Sequence, residues 1–169
     1  APVVSILDTA GARLDEGLDA MNAYARIAGR LSALSGVVPQ IALVLGPCGG
    51  IASALAGMSD FTIMSKNGKL FVNGPLVVSA AAGKQIDLET LAGAETSMRA
   101  GIVQIATDTD GQALAQARRL ISLLPANNLD EAIAPCQDDL NRELHDLNFI
   151  DKVEDVRDVL VRIADQGEY

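Results

Sequence analysis

Aromatic side chains are nearly absent from this chain of 169 residues, which has no tryptophan, two tyrosines and three phenylalanines. Hydrophobic residues nevertheless make up 49% of the sequence. Alanine, leucine, isoleucine and valine must therefore build the core, and a chain of this length suits a single domain.

Cysteine and histidine are also rare, with two cysteines, Cys48 and Cys136, and one histidine, His145. Two cysteines so far apart form neither a disulfide framework nor the closely spaced ligand pairs of a zinc site. We therefore expect a reducing, cytoplasmic setting. His145 lies in a polar stretch, residues 137–147, where we expect a helix and a solvated imidazole.

Positive charge is in short supply, since 13 lysines and arginines face 22 aspartates and glutamates, for a formal net charge of −9. Such a chain lacks the basic face that nucleic acids require, and an anionic membrane surface repels it. No apolar run approaches the roughly 20 residues of a membrane-spanning helix. The first seven residues lack the basic start of a signal peptide and predict a strand entered mid-chain, so we expect a fragment of a longer protein.

The most informative stretch is residues 46–50, Gly-Pro-Cys-Gly-Gly. It follows an apolar run at residues 40–45, which predicts a buried strand, and precedes small residues that can begin a helix reaching about Gly57. The pattern predicts a strand-to-helix turn in which the backbone bends tightly and a ligand can approach it closely. A helix that begins there directs unpaired N–H groups and a positive dipole end at the turn, which favours negative charge.

A second bend of small residues, 9–12, follows a predicted strand at residues 3–7. Strands that alternate with helices favour a parallel sheet and an α/β domain, whose ligands bind at the loops that leave the strands. If the two strands are neighbours, each bend can offer a backbone N–H to one carbonyl oxygen, and two such donors form an oxyanion hole. From spacing alone, residues 46–50 equally suit close helix–strand packing.

The remaining periodicities predict further elements. A helix with one apolar face, including Leu14 and Leu18, is expected over residues 13–34. Two strands, at residues 61–64 and 69–72, flank an Asn-Gly pair that is typical of a hairpin. The other predicted elements are helices at 75–82, 88–93, 110–124 and 153–164 and a strand at 102–106.

Side-chain chemistry gives weaker signals. The glycine-rich turn does not match the dinucleotide-binding, phosphate-loop or hydrolase-elbow motifs. Ser53 or Cys48 could act as a nucleophile only with a base, and a small buried cysteine is the commoner outcome. Asp8 and Arg13 predict a salt bridge that fixes the first bend. Further expectations are a solvated acidic face at Asp138, Asp139, Glu143 and Asp146, and core filling by Met58 and Met64.

Several ordered motifs resemble those of biotin-dependent carboxyltransferases, the family of the propionyl-CoA carboxylase carboxyltransferase subunit and of sodium-pumping decarboxylases. Residues 8–17 resemble D-S-G-G-A-R-x-x-E-G, and residues 38–50 resemble I-P-Q-I followed by G-P-C-A-G-G. The resemblance covers nearly the whole chain. It continues in D-F-x-x-M at 60–64, F-x-x-G-P-x-V-V at 71–78, E-E-L-G-G-A at 89–94, L-x-x-x-L-P at 120–125 and a linker helix with G-E-F at 153–169.

The resemblance implies a crotonase-like α/β fold of spiralled β-β-α units. It implies that residues 1–169 are one partial domain, the acyl-CoA-binding N-terminal half, with a helix at 150–169 leading to a C-terminal carboxyltransferase half. In that family a carboxyl group moves between biotin, carried by a biotin carboxyl carrier protein, and the α-carbon of a coenzyme A thioester. The family builds its site between subunits, so an oligomer is expected.

Carried onto this chain, the resemblance also assigns site residues. The enolate-like oxyanion of the thioester is held by backbone N–H groups, and substrate-binding residues line the second bend. The implied N–H donors are Ala10, Gly11, Ala12, Gly49 and Gly50, and the implied substrate-binding residues are Cys48, Ile51 and Ala52.

Two departures from the family pattern keep alternatives open. Ile51 stands where the family has a second glycine, and residues 92–101 lack the family's histidine. A CoA-binding or assembly subunit that has lost its chemistry fits both departures. A third reading is another crotonase-fold enzyme: a hydratase would need a carboxylate near the bends, and a peptidase would need Ser53 paired with His145.

Overall fold

The computed structural model describes residues 1–131, 138–139 and 153–167. The chain divides into two compact units, Ala1–Ile133 and Ala134–Tyr169. In the first unit, the strands are β1 (Val3–Thr9), β2 (Gln40–Gly49), β3 (Phe61–Ser65), β4 (Lys69–Phe71) and β5 (Ile105–Thr107). Its helices are α1 (Gly17–Leu34), α2 (Ile51–Gly57), α3 (Pro75–Ala82), α4 (Leu88–Ala92), α5 (Ala94–Arg99) and α6 (Asp110–Leu123).

The strands form one sheet in the order β1-β2-β3-β5, with β4 also paired to β2. Each of these pairings is parallel, as the alternation of strands and helices predicted. The central strand is β2, which pairs with β1 on one edge and with β3 and β4 on the other. Its residues 41–44 are apolar and at most 1% exposed. Strands buried on both faces carry such continuous apolar runs.

Two core clusters lie on opposite faces of this sheet, since successive strand residues point to opposite sides. On one face Val44 and Met64 pack with Ala52 and Ala56 of α2. On the other, Leu43 packs with alanines of α6. Small helix residues let the helices lie close to the sheet, and Met64 fills the core as predicted, with no exposed surface.

A capping box begins α6. The Gln112 N–H donates to the Thr109 hydroxyl at 3.2 Å, and the Thr109 N–H donates to the Gln112 side-chain oxygen at 3.1 Å. Such reciprocal bonds satisfy N–H groups that a helix start leaves without partners. The helix ends at Leu123, just before Pro125, so the prediction of a helix here is confirmed.

The predicted hairpin at residues 61–72 is wrong. β4 pairs in parallel with residues 47–49 of β2, while β3 pairs with residues 41–44. Since β1 occupies the other edge of β2, β3 and β4 follow one another along the same edge. Gly68 lies under β2, where a Cβ would be 2.5 Å from the Val44 carbonyl oxygen. After the Asn-Gly turn the chain therefore continues along the same edge of β2 instead of reversing its direction.

Helix α1 and strand β5 differ from the sequence prediction. α1 begins at Gly17, after a short 3-10 turn, and the leading residues of its apolar face, Leu14 and Leu18, are 95% and 80% exposed. Burial is confined to Ala20 and Leu31. β5 begins at Ile105, because the N–H groups of residues 101–103 still donate to carbonyl oxygens of α5.

The second unit contains helix α7 (Val156–Ile163), shorter at both ends than predicted. The Asp155 carboxylate accepts the Arg157 N–H at 2.9 Å and caps it. The helix predicted at residues 137–147, with His145, lies outside the described residues. Over the ranges that the structure describes, no helix combines the length and apolar character needed to cross a membrane.

Candidate active site

The two predicted bends adjoin at the carboxyl ends of β1 and β2. Thr9 pairs with Cys48, whereas Leu7 pairs with Val44. The register therefore shifts there, because β2 advances by four positions while β1 advances by two. A Cβ at Gly49 would lie only 2.6 Å from the Ala10 carbonyl oxygen. Glycine at position 49 is therefore what allows the two backbones to meet.

The second bend is tighter than predicted, because β2 continues through Gly49 instead of ending at residue 45. Gly50 alone separates β2 from α2, with φ 62° and ψ −132°, a conformation that essentially only glycine adopts. The chain thus passes from strand to helix in one residue. The first bend also needs glycine, since Gly11 has φ 132°.

One predicted oxyanion donor is already used. The Gly50 N–H donates to the Phe71 carbonyl oxygen of β4 at 3.0 Å, so it cannot serve a ligand, and its assignment is corrected. The Gly11 N–H is turned to the Thr9 hydroxyl at 3.3 Å. Adjacent amides alternate in direction along a strand, so the Gly49 N–H faces β1, where Thr9 pairs with Cys48.

Other main-chain donors remain. Within the part of the chain that the structure describes, the N–H groups of Ala10 and Ala12 donate to no protein acceptor. The same holds, over those residues, for Ile51 and Ala52, which begin α2. The first N–H groups of any helix lack a partner inside the helix. Because Ala52 has no exposed surface, the Ile51 amide is the one that a ligand oxygen can reach at the second bend, beside those of Ala10 and Ala12 at the first.

The side chains at the second bend belong to the core. Cys48 and Ala52 have no exposed surface and pack in the cluster on the α2 face, so these two predicted substrate-binding residues cannot contact a substrate through their side chains. Ile51 is half-buried. Burial raises the pKa of the Cys48 thiol to about 11, because the interior disfavours the thiolate. Cys48 is therefore not an activated nucleophile.

We predict that Cys48 resists thiol reagents. In a Cys136→Ser variant at pH 8, we expect alkylation at least 100-fold slower in the native protein than in urea, because the thiol is buried and protonated. Equal alkylation rates in the native and the unfolded protein would contradict the burial of Cys48.

Since folding raises the pKa of the Cys48 thiol from 9.0 to about 11, the stabilisation that Cys48 gives is complete below about pH 9 and is lost as the pH rises toward 11.

The Ser53 hydroxyl has a structural role at the start of α2. It donates to the Gly50 carbonyl oxygen at 2.6 Å, and Ser53 is 9% exposed. This bond to the preceding turn is the usual local use of a helical serine. The base that a peptidase would need, His145, lies outside the described residues.

The predicted salt bridge between Asp8 and Arg13 does not form. The Arg13 guanidinium lies 3.3 Å from Glu16, its exposed neighbour in the 3-10 turn. The Asp8 carboxylate instead lies against Gly46, where a Cβ would be 2.1 Å from its Oδ1. Arg13 lies past the bend that ends β1, so it pairs along the chain rather than back across it.

Half of the predicted acidic face, Glu143 and Asp146, lies outside the described residues. Over residues 1–131, 138–139 and 153–167, no group of three histidine, cysteine or acidic side chains could hold a metal ion. A cavity of about 530 Å³ lies at the carboxyl ends of β3 and β5, lined in part by Lys66, Thr107 and Asp108. None of its lining residues belongs to the two bends.

Phe71 is a site residue that the sequence did not single out. Its carbonyl oxygen holds the Gly50 N–H, and its ring lies beneath Gly49, where a Cβ would be 2.7 Å from the ring carbon Cε2. The sequence signal that could have identified Phe71 is its position as the phenylalanine of the F-x-x-G-P motif.

Comparison with known proteins shows the family to which the chain is similar. The family model for the carboxyl transferase domain matches residues 1–169. The methylmalonyl-CoA carboxyltransferase 12S subunit of Propionibacterium freudenreichii subsp. shermanii is 40% identical over 174 residues, covering 99% of this chain and 33% of that protein. The methylmalonyl-CoA decarboxylase α subunit of Propionigenium modestum is 38% identical over 177 residues, covering 100% of this chain and 34% of that protein.

A solved structure agrees with the sequence comparison. The transcarboxylase 12S structure with hydrolysed methylmalonyl-coenzyme A bound superposes with a TM-score of 0.91 at 37% identity, covering 99% of this chain and 34% of that one. The predicted crotonase-like α/β fold is thus confirmed. The chain spans about a third of the length of the curated relatives it matches. From the ordered motifs, the fold and the paired bends together, the chain belongs to the carboxyl transferase domain family.

Proposed function

We propose that this chain is the acyl-CoA-binding part of a biotin-dependent carboxyltransferase or decarboxylase. The observation that carries the proposal is the pair of adjoining bends, with Gly49 packed against the Ala10 carbonyl and amides left without acceptors on each side. Relatives that span the whole chain are named as methylmalonyl-CoA carboxyltransferase and methylmalonyl-CoA decarboxylase subunits.

The proposed chemistry needs no catalytic side chain from this chain. When a carboxyl group joins or leaves the α-carbon of a thioester, negative charge collects on the thioester oxygen. The proposed donors to that oxygen are the amides of Ala10 or Ala12 in the first bend and of Ile51 in the second. Gly11 and Gly49 shape the bends. Removal of one such donor typically costs about 3 kcal/mol, roughly a hundredfold in rate.

The proposed site also requires partners that carry biotin. Biotin, carried by a biotin carboxyl carrier protein, would supply or accept the carboxyl group, and a C-terminal carboxyltransferase half would bring it to the thioester. The two bends supply the thioester side of such a site. We also propose an oligomer. A cytoplasmic location is proposed as well, with which the free, buried thiol of Cys48 is consistent.

The test uses the full-length protein that contains these residues, mixed with carboxylated biotin carrier protein and a series of short acyl-CoA thioesters. We expect carboxyl transfer to at least one thioester, or the reverse reaction from its carboxylated form, measured with a ¹⁴C-labelled carboxyl group. No transfer in either direction with any short acyl-CoA would contradict the proposal. Calorimetric CoA binding without transfer would instead select the non-catalytic assembly subunit.

A further inference from the structure

The ammonium of Lys69 is held by three acceptors at the first residue of β4. Its Nζ donates to the carbonyl oxygens of Lys66 and Gly68, each at 2.9 Å, and lies 3.0 Å from the Glu89 carboxylate. An ammonium has three N–H groups, so all of them are used. Two acceptors belong to the turn between β3 and β4 and the third to α4, so Lys69 ties three segments together.

The strand that Lys69 begins supports the second bend. β4 has three residues and pairs with residues 47–49 of β2. Its last residue, Phe71, accepts the Gly50 N–H and places its ring against Gly49. A strand this short has few ladder hydrogen bonds, so its position depends on what anchors its ends.

We propose that Lys69 is a positioning residue for the second bend. Its ammonium fixes β4, β4 fixes Phe71, and Phe71 sets the orientation of Gly49 and Gly50. The start of α2, which carries the proposed donor amide of Ile51, follows directly. A displacement of about 1 Å at such a site can cost about a hundredfold in rate. The effect on turnover rests on the proposed function, whereas the anchoring itself can be measured without turnover.

The test compares Lys69→Met with Arg99→Met in the full-length protein. Arg99 makes a matched control because it pairs with Glu95 on α5, where both side chains are more than 70% exposed. Lys69, in contrast, is 15% exposed. Glu89 is 65% exposed, so its carboxylate stays hydrated when the ammonium is removed.

Hydrogen–deuterium exchange of peptides spanning residues 46–53 is the first measurement. We expect exchange at least tenfold faster in Lys69→Met, because the bond from Gly50 to Phe71 opens more often, and no change in Arg99→Met. Peptides from α6 serve as the internal reference. If they also exchange faster in Lys69→Met, Glu89→Gln replaces it, since that variant keeps both carbonyl contacts of Lys69. Unchanged exchange of the bend in the variant used would overturn the anchoring.

Steady-state kinetics is the second measurement. We expect kcat for carboxyl transfer to fall about tenfold in Lys69→Met while KM for the acyl-CoA changes less than twofold, since the displaced amides matter most in the transition state. Faster exchange with unchanged kcat would overturn the positioning role. If the unchanged protein shows no transfer with any acyl-CoA, the proposed function fails by itself, and the exchange rates alone then support or overturn the anchoring.

Discussion

Gly49→Ala is expected to lower kcat for carboxyl transfer by at least a hundredfold in the full-length protein. The added Cβ would lie 2.6 Å from the Ala10 carbonyl oxygen and 2.7 Å from the Phe71 ring. Backbone atoms cannot give way as a flexible side chain can, so the two bends must separate. Amides preset around one oxygen lose that arrangement, and loss of one donor alone costs roughly a hundredfold.

The matched control is Gly57→Ala, at the end of α2, where a Cβ would meet nothing within 4 Å. Its turnover should equal that of the unchanged protein. Thermal melting of both variants separates a displaced site from a protein that fails to fold, because overpacking alone costs about 1–3 kcal/mol. A folded Gly49→Ala protein with kcat within threefold of the original would show that the adjoining bends do not form the oxyanion hole.

Gly68→Ala is expected to lower the free energy of unfolding by about 3 kcal/mol, the upper end of the usual overpacking range. Its Cβ would lie 2.5 Å from the Val44 carbonyl oxygen and 2.8 Å from the Met64 side chain, both fully buried. The added methyl must push the turn away from β2. We expect β4 to loosen with it, since β4 begins at the next residue.

Urea denaturation measures this change, with Gly29→Ala as the control. Gly29 lies inside α1, and a Cβ there would meet nothing within 4 Å. Alanine should stabilise that position by about 0.5–1 kcal/mol, because glycine loses more backbone entropy in a helix. Gly68→Ala and Gly29→Ala of equal stability would contradict the packing of the turn under β2.

Local sequence signals predicted the elements whose causes are local. Pro75 at the first turn of α3 and the Thr109 cap of α6 act within a few residues of themselves, and both helices are where those signals put them. The Asn-Gly pair failed because a hairpin also requires the following strand to pair with the preceding one. Here β4 pairs instead with residues 47–49 of β2, a partner that lies outside residues 61–72.

The sequence predicted which two segments adjoin, but not which of their backbone atoms keep a free hydrogen-bonding position. The two small-residue bends do adjoin, and Gly49 stands at their contact. Which amide remains available depends on β4, which takes the Gly50 N–H. The motif spacing could not show this, because the acceptor lies 21 residues further along the chain, at Phe71.

By itself the sequence determined the family, the order of the strands and of the helices apart from α5, the aliphatic core and the two glycine-bearing bends, because these depend on residue type and nearest neighbours. Tertiary structure alone decided that β3 and β4 share one edge of β2, that Cys48 and Ala52 are core residues, and that Gly50 is not a free donor. These outcomes depend on which backbone groups of distant segments pair in the folded chain. Because each hydrogen-bonding group can satisfy few partners at once, a group that is paired there is not available to a ligand.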